Sequence, residues 1–192
     1  MLLATPGMRL IRGNHESYYL DGIPDPRPPW MSDGEVAHQA WVKGQLGPDL
    51  REEVAAWPYL IDEEFAGVRV RFLHYALDPA GRDFLPMLRD PSTADLCALF
   101  EPNDTQLLFY GHDHRSADRQ GEVRFINPGS LGCQKEAIAP FTVVEFSKGK
   151  YGVSHRAVRY DDSELYKDFE RRGVPERDFL YRAFFGDRFP PR

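Results

Sequence analysis

"MRLIRGNHESYY", Met8 to Tyr19, is the stretch on which the reading turns. Met8 to Arg12 reads as a short buried strand, and Gly13-Asn14-His15-Glu16 follows it as a polar loop. An asparagine beside a histidine at a strand end looks like half of a metal site, since imidazole is a common ligand for divalent ions. Two later apolar runs end in the same way. "VRVRFL" runs into His74, and "LLFYGHDHR" carries His112 and His114. Residues two apart in a strand face one side. A His-x-His turn at a strand end therefore aims both imidazoles at one place, with Gly111 giving the backbone room to turn.

Each element has a plainer reading when taken alone. His74 fits a satisfied core histidine. Asn14-His15 fits simple turn chemistry, because asparagine tolerates left-handed φ. His112 and His114 fit ordinary loop residues. Three apolar runs that all end at histidine-bearing turns make the joint reading, a metal site, the better one. His38, in a predicted helix among charged neighbours, reads as a surface residue. His155 lies in a late alternating strand without a partner motif.

The whole chain sets the frame for that site. Its 192 residues suit one domain, 1–192, with a sizeable core. Hydrophobic residues at 42% and charged residues at 28% place it among ordinary globular proteins. The net charge of −6 argues against a binder of nucleic-acid backbones, which are basic as a rule. It leaves room for a small phosphate substrate, because bound metal ions supply local positive charge. Cys97 and Cys133 form neither a disulfide framework nor a zinc-finger spacing, and read as thiols in a reducing compartment. "MLLATPGMRL" lacks a basic leader, and no run approaches the roughly 20 apolar residues of a membrane span. The expectation is a cytoplasmic protein with no membrane contact.

Element signals follow. "DGIPDPRPPWM", Asp21 to Met31, is a proline-rich loop. Asp33 to Leu46 reads as a helix capped by Ser32 or Asp33, and Pro48 to Ala56 as a second helix stopped by Pro58. Tyr59 to Phe65 and Val68 to Leu73 read as a hairpin around Gly67. Pro91 to Phe100 is a short helix capped by Ser92 or Thr93. Gln106 to Tyr110, Val123 to Ile126, Phe141 to Phe146 and Gly152 to Tyr160 read as strands. Helices from about Asp162 to Arg172 and from Pro175 to Gly186 follow. This order fits an α/β fold, a two-sheet β-sandwich core flanked by helices.

With these motifs in place, the chain resembles the calcineurin-like metallophosphoesterases, in particular their small bacterial phosphodiesterase branch. The matching parts are Gly13-Asn14-His15-Glu16, His74 and Gly111-His112-Asp113-His114, with Asn127-Pro128-Gly129-Ser130 as a further turn. The likeness runs from about Met8 to Phe146 and extends to the C-terminal helical stretch. It implies metal-dependent hydrolysis of a phosphoester, a phosphodiester foremost, by a hydroxide made between two divalent ions (manganese, iron, zinc or nickel). It implies that Asn14, His74 and His112 hold the second metal and that His114 reaches the first. His15 is then the catalytic proton donor, with Glu16 and Asp113 orienting imidazoles and Arg12 touching phosphate. The alternatives are a Ser/Thr protein phosphatase, a nucleotide phosphatase or a non-catalytic scaffold of the same superfamily.

The chain departs from the family pattern in two ways. The family's earlier Asp-x-His and Gly-Asp motifs are absent, and Tyr75 stands where the family has glycine. The expectation is an N-terminally incomplete domain that lacks about 50–70 residues, two strands with their helices. Such a chain is expected to hold one metal ion or none, and to self-associate through an open sheet edge. Tyr18, Tyr19, Trp30 and Trp41 fit either packing of the proline-rich loop or a nucleobase pocket.

Overall fold

The alternating apolar residues of "LIDEEF" and "VRVRFL" pair as an antiparallel hairpin, β1 (Leu60–Phe65) and β2 (Val68–Leu73). Ala66 and Gly67 join them with φ of 52° and 84°, the two-residue turn whose twist matches the strands. The computed structural model describes residues 4–81, 83–186 and 188. From β2 the sheet continues in parallel through β3 (Leu107–Phe109) to β5 (Arg124–Asn127). It ends on the short antiparallel β4 (Ala117–Arg119), giving the order β1-β2-β3-β5-β4.

The central strands β2, β3 and β5 carry apolar residues to both sides of the sheet. On one face Val68, Val70, Leu107 and Ile126 pack against Val144, Phe146, Tyr151 and Val153. The latter belong to a separate antiparallel pair, β6 (Ile138–Ser147) and β7 (Lys150–Arg159). On the other face Leu73, Leu108 and Phe125 meet Leu96 and Phe100 of α4 (Thr93–Phe100). Ser92 and Asp95 cap that helix reciprocally: the Asp95 carboxylate accepts from the Ser92 N–H (2.9 Å) and the Ser92 hydroxyl from the Asp95 N–H (3.2 Å). The result is the expected α/β architecture, a mixed sheet plus a second sheet with helices around them.

The remaining helices form two satellites. Tyr19 and Leu20 of α1 (Asn14–Asp21) pack with Val54 of α3 (Arg51–Ala55), and α1 also rests on α2 (Asp33–Leu46). Ser32 caps α2 as its sequence predicts, accepting from the Glu35 N–H at 3.1 Å. At the other end α5 (Ser163–Arg172) and α6 (Arg177–Phe184) share a small aromatic core of Tyr166, Tyr181 and Phe185. Arg188 ties this pair to the body by donating to the Gln134 carbonyl at 2.8 Å and pairing with Asp162 at 2.9 Å.

Three local expectations are corrected. Met8 to Arg12 is not a strand, and the open edge expected there is not formed. Arg9 interrupts the apolar run and pairs with Glu63. Arg12 donates its N–H to the Pro58 carbonyl (2.8 Å), and Pro58 has no N–H with which to return a ladder bond. Gly13-Asn14-His15-Glu16 is not a loop but the first turn of α1. The short β4 carries too few residues to show an alternating pattern. Among the described residues no helix is long and apolar enough to cross a membrane.

Phe125 is fully buried between β3 and α4, whereas Val158 is 55% exposed on β7. Phe125→Ala is expected to lower unfolding free energy by about 3–5 kcal/mol, and Val158→Ala by no more than about 0.5 kcal/mol. Urea unfolding of both variants checks this; equal losses would contradict the assigned core.

Candidate metal centre

Parallel strands present their C-terminal ends at one edge of the sheet. His74 follows β2, Gly111 to His114 follow β3, and Asn127 closes β5. The ladder continues past the strands: the Gly111 N–H donates to the His74 carbonyl at 2.8 Å, and the Tyr110 N–H to the Ile126 carbonyl at 3.0 Å. These bonds fix the spacing of the loops before any side chain is considered.

Three donors meet in the space this creates. His74 Nε2 lies 3.0 Å from Asn14 Oδ1 and 3.2 Å from His112 Nδ1. Asn14 is buried in the first turn of α1, one turn before Tyr18. Its amide N–H donates to the Tyr18 oxygen, which leaves Oδ1 to face His74. Burial raises the Tyr18 pKa to about 12, so its hydroxyl stays protonated. Gly13 admits the His74 ring: a Cβ there would sit 3.1 Å from ring atoms.

The strand-alternation argument for His112 and His114 is replaced by a tighter turn. Both residues lie beyond β3 and take left-handed φ of 70° and 61°, while Gly111 does not need positive φ. Left-handed residues other than glycine cost energy and are held in place by their surroundings. Asn127, 1% exposed, donates to the Gly111 carbonyl (3.3 Å) and accepts from the Gly129 N–H (2.9 Å). The His114 carbonyl accepts from the Ser130 N–H and from the Gln134 amide, both at 3.2 Å. The turn Asn127-Pro128-Gly129-Ser130 is thus the brace of the histidine loop. Gly129 at φ 90° lies so close to Ser116 Oγ that a Cβ would stand 2.6 Å from it.

Apolar rings dry the cluster. Phe84 stands edge-on to His74 (centroids 5.3 Å) and stacks on His112 (6.1 Å). Tyr75, in the place where glycine was expected, lies 5.0 Å from His112 and is locked by accepting the Leu88 N–H at 2.8 Å. Burial holds the His74 pKa at about 3, with His112 the next cause. Burial likewise lowers His112 and His114. At neutral pH these rings are uncharged, so His74 Nε2 donates to Asn14 Oδ1, and a cation there would take the place of that proton.

The other predicted residues divide. His15 points to Gln39, whose amide nitrogen is 3.1 Å from His15 Nδ1, and burial of the ring lowers its pKa. His114 packs on Phe184 of α6 (5.7 Å) and lies within electrostatic range of His15, His74 and His112. Arg12 faces away, donating to the Ala55 carbonyl (2.6 Å) and lying over the Tyr59 ring. Glu16 accepts from the Gly13 N–H (2.8 Å), closing the helix turn rather than orienting an imidazole. Asp113 is held by a two-toothed pair with Arg115 (2.9 and 3.1 Å). His38, expected on the surface, is half-buried and meets the Pro175 carbonyl at 3.2 Å. His155 contacts Asp118 (2.7 Å) and Thr142 (3.1 Å), bridging the two sheets away from the site. Gln39 and Phe84 are not marked in the sequence as parts of the site, and Tyr18, read there as loop packing or a nucleobase pocket, instead holds Asn14. Only Tyr18 left a signal, its i,i+4 spacing from Asn14.

The three convergent donors fit one divalent ion. Two donors about 2.1 Å from a common ion stand about 3.0–3.4 Å apart, as His74 Nε2 does from Asn14 Oδ1 and from His112 Nδ1. The set is neutral: among the described residues no group of three or more His, Cys, Asp or Glu side chains gathers to hold a metal. The described residues therefore supply three donors for one ion and no carboxylate set for two.

Residues 2–149 match the family model of the calcineurin-like phosphoesterase superfamily domain. Among solved structures, a hypothetical protein from Pyrococcus horikoshii superposes with a TM-score of 0.75 at 19% identity, over 96% of this chain and 75% of the other. A metallophosphoesterase from Sphaerobacter thermophilus gives a TM-score of 0.61 at 18% identity, over 90% and 74%. At such identities the likeness is one of fold. A search of curated proteins finds no match.

A histidine held neutral when folded penalises the folded state in acid. The unfolded chain takes up the proton below the ordinary value of 6.5, while folded His74 resists it until about pH 3. The stability linked to this ring is complete above 6.5 and is lost as pH falls toward 3. The metal-free chain should therefore lose urea resistance between about pH 7 and about pH 4, and His74→Gln should flatten that slope. Parallel slopes for the two proteins would show that His74 is not the group responsible.

Proposed function

The chain belongs to the calcineurin-like phosphoesterase superfamily, and from that premise we propose that it hydrolyses a phosphodiester with a divalent cation held by Asn14, His74 and His112. The superfamily's chemistry is metal-dependent phosphoester hydrolysis. The observation that carries the finer reading is that His74 Nε2 lies 3.0 Å from Asn14 Oδ1 and 3.2 Å from His112 Nδ1, beside His15.

When bound, a divalent cation supplies positive charge for phosphate oxygens and makes water a stronger acid. The chain's own groups do the rest. Asn14, His74 and His112 would hold the ion through neutral lone pairs, a set rich in imidazole that suits zinc, iron or nickel. Phe84 and Tyr75 keep bulk water from that trio, which strengthens each electrostatic contact within it. His15 serves the leaving oxygen, as the proton donor when its ring is protonated or through its N–H hydrogen bond when the ring is neutral. His114, on the same loop as His112, is assigned to a second cation. The Arg12 Nη atoms donate to the Tyr59 hydroxyl and the Ala55 carbonyl, which weakens a protein-phosphatase reading based on that arginine.

The test uses the purified chain with manganese, assayed on bis(p-nitrophenyl) phosphate and p-nitrophenyl phosphate. Metal-stimulated turnover, faster on the diester, is expected. His74→Ala and His112→Ala should abolish metal uptake measured by calorimetry. His15→Ala should keep it and lose about 10²–10⁴-fold in turnover. Equal loss of metal in all three variants would make His15 a ligand, and metal uptake without turnover would favour the scaffold reading.

A further inference from the structure

Gln39 is a polar side chain in the middle of α2, yet it is only 6% exposed. A buried amide without partners costs free energy, so its contacts are informative. Its nitrogen lies 3.1 Å from His15 Nδ1, across the interface between α2 and α1. An amide nitrogen only donates. His15 Nδ1 must therefore be the acceptor, and the ring proton of the neutral imidazole belongs on Nε2.

The helix that carries Gln39 is itself fixed. The neighbouring His38 meets the Pro175 carbonyl just before α6 (3.2 Å) and stacks near Trp41 (centroids 6.2 Å). Gly34, one turn earlier, lies so close to Glu176 that a Cβ would stand 2.2 Å from its side chain. The α5–α6 pair thus holds α2 in place, and α2 in turn presents Gln39 to His15.

We propose that Gln39 is the positioning residue for His15: its buried amide fixes the neutral imidazole ring and its tautomer, so that Nε2–H is presented as a hydrogen-bond donor. The pairing of that N–H with a leaving oxygen, whose developing charge it stabilises, rests on the function proposed above; the tautomer does not. Gln39 touches neither the substrate nor the three donors, so it acts only through His15. A donor locked in one tautomer presents its proton in every encounter, whereas a free ring divides its population between two nitrogens.

The experiment reads the tautomer directly. Long-range nitrogen–proton spectra of the imidazole-labelled chain are recorded where the histidines are neutral, with His15 assigned by the signals missing in His15→Ala. The wild type should show the proton on Nε2. Gln39→Leu, which keeps the volume without the donor, should give a mixture of tautomers. Gln39→Glu, whose carboxylate only accepts, should move the proton to Nδ1. A wild-type ring protonated on Nδ1, or a His15 tautomer unchanged in both variants, would overturn the proposal. Circular dichroism establishes that each variant is folded, and Gln39→Asn serves if Gln39→Leu is not: the shorter amide cannot span the gap and should also free the tautomer.

A second measurement separates this proposal from the function it rests on. With manganese, Gln39→Leu should lose about ten-fold or more on a diester with an alkyl leaving group. It should lose little on one with a nitrophenolate, which needs no proton. A merely structural role would lower both alike and would refute positioning. If His15→Ala itself shows no such dependence on the leaving group, the role at the leaving oxygen fails while the spectra still decide whether Gln39 positions the ring.

Discussion

The hydrogen bond from the Gly111 N–H to the His74 carbonyl, 2.8 Å long, carries the β2–β3 ladder past the last residues of both strands. With the parallel pairing of β3 and β5 it forces three loops to leave the sheet side by side. The remainder of the site depends on that register. A slip of one residue would turn His74 to the opposite face, away from Asn14 and His112. The interior packing defends the register, because Val68, Val70, Leu107 and Ile126 face one layer and Leu73, Leu108 and Phe125 the other. Core and site are thus specified by the same alternation.

Above this regular base the histidine loop is held in an unfavourable shape. His112 and His114 both take left-handed φ. The cost is offset by a set of bonds from one side: Asn127 to Gly111, and Ser130 and Gln134 to the His114 carbonyl. Strain of this kind persists where neighbouring structure over-determines it. The dry rings of Phe84 and Tyr75 complete the enclosure and keep the imidazoles neutral. A three-donor set without a carboxylate leaves a bound cation's charge uncompensated, so ion binding at this trio is weaker than at a site with acidic ligands.

Much of the arrangement was legible in the sequence. Capping serines preceded α2 and α4, and the hairpin of β1 and β2 announced itself by Gly67 and apolar alternation. Histidines at strand ends are recognisable because burial and loop exits leave marks in the local pattern. Met8 to Arg12 misled because its apolar residues suggested a ladder, and the lack of a donor on Pro58 is visible only once the partner is known. Arg12, Glu16 and Asp113 carried the right charges, but each charge is taken by a neighbour: Ala55, Gly13 and Arg115. Gln39 had no signal at all. It lies in an ordinary amphipathic helix, and its importance comes from a contact 24 residues away.

The span of the site in sequence bears on how it comes into being. Asn14 and His74 are 60 residues apart, and His74 and His112 a further 38. Phe184 then covers His114, and Pro175 steadies α2 through His38. During synthesis the ribosome therefore releases Asn14 and His15 long before their partners exist. A donor set for a cation is first complete when His112 emerges, and its outer wall only with α6. Long-range closures of this kind are slow to form. The growing chain therefore has no assembled trio before the fold is in place.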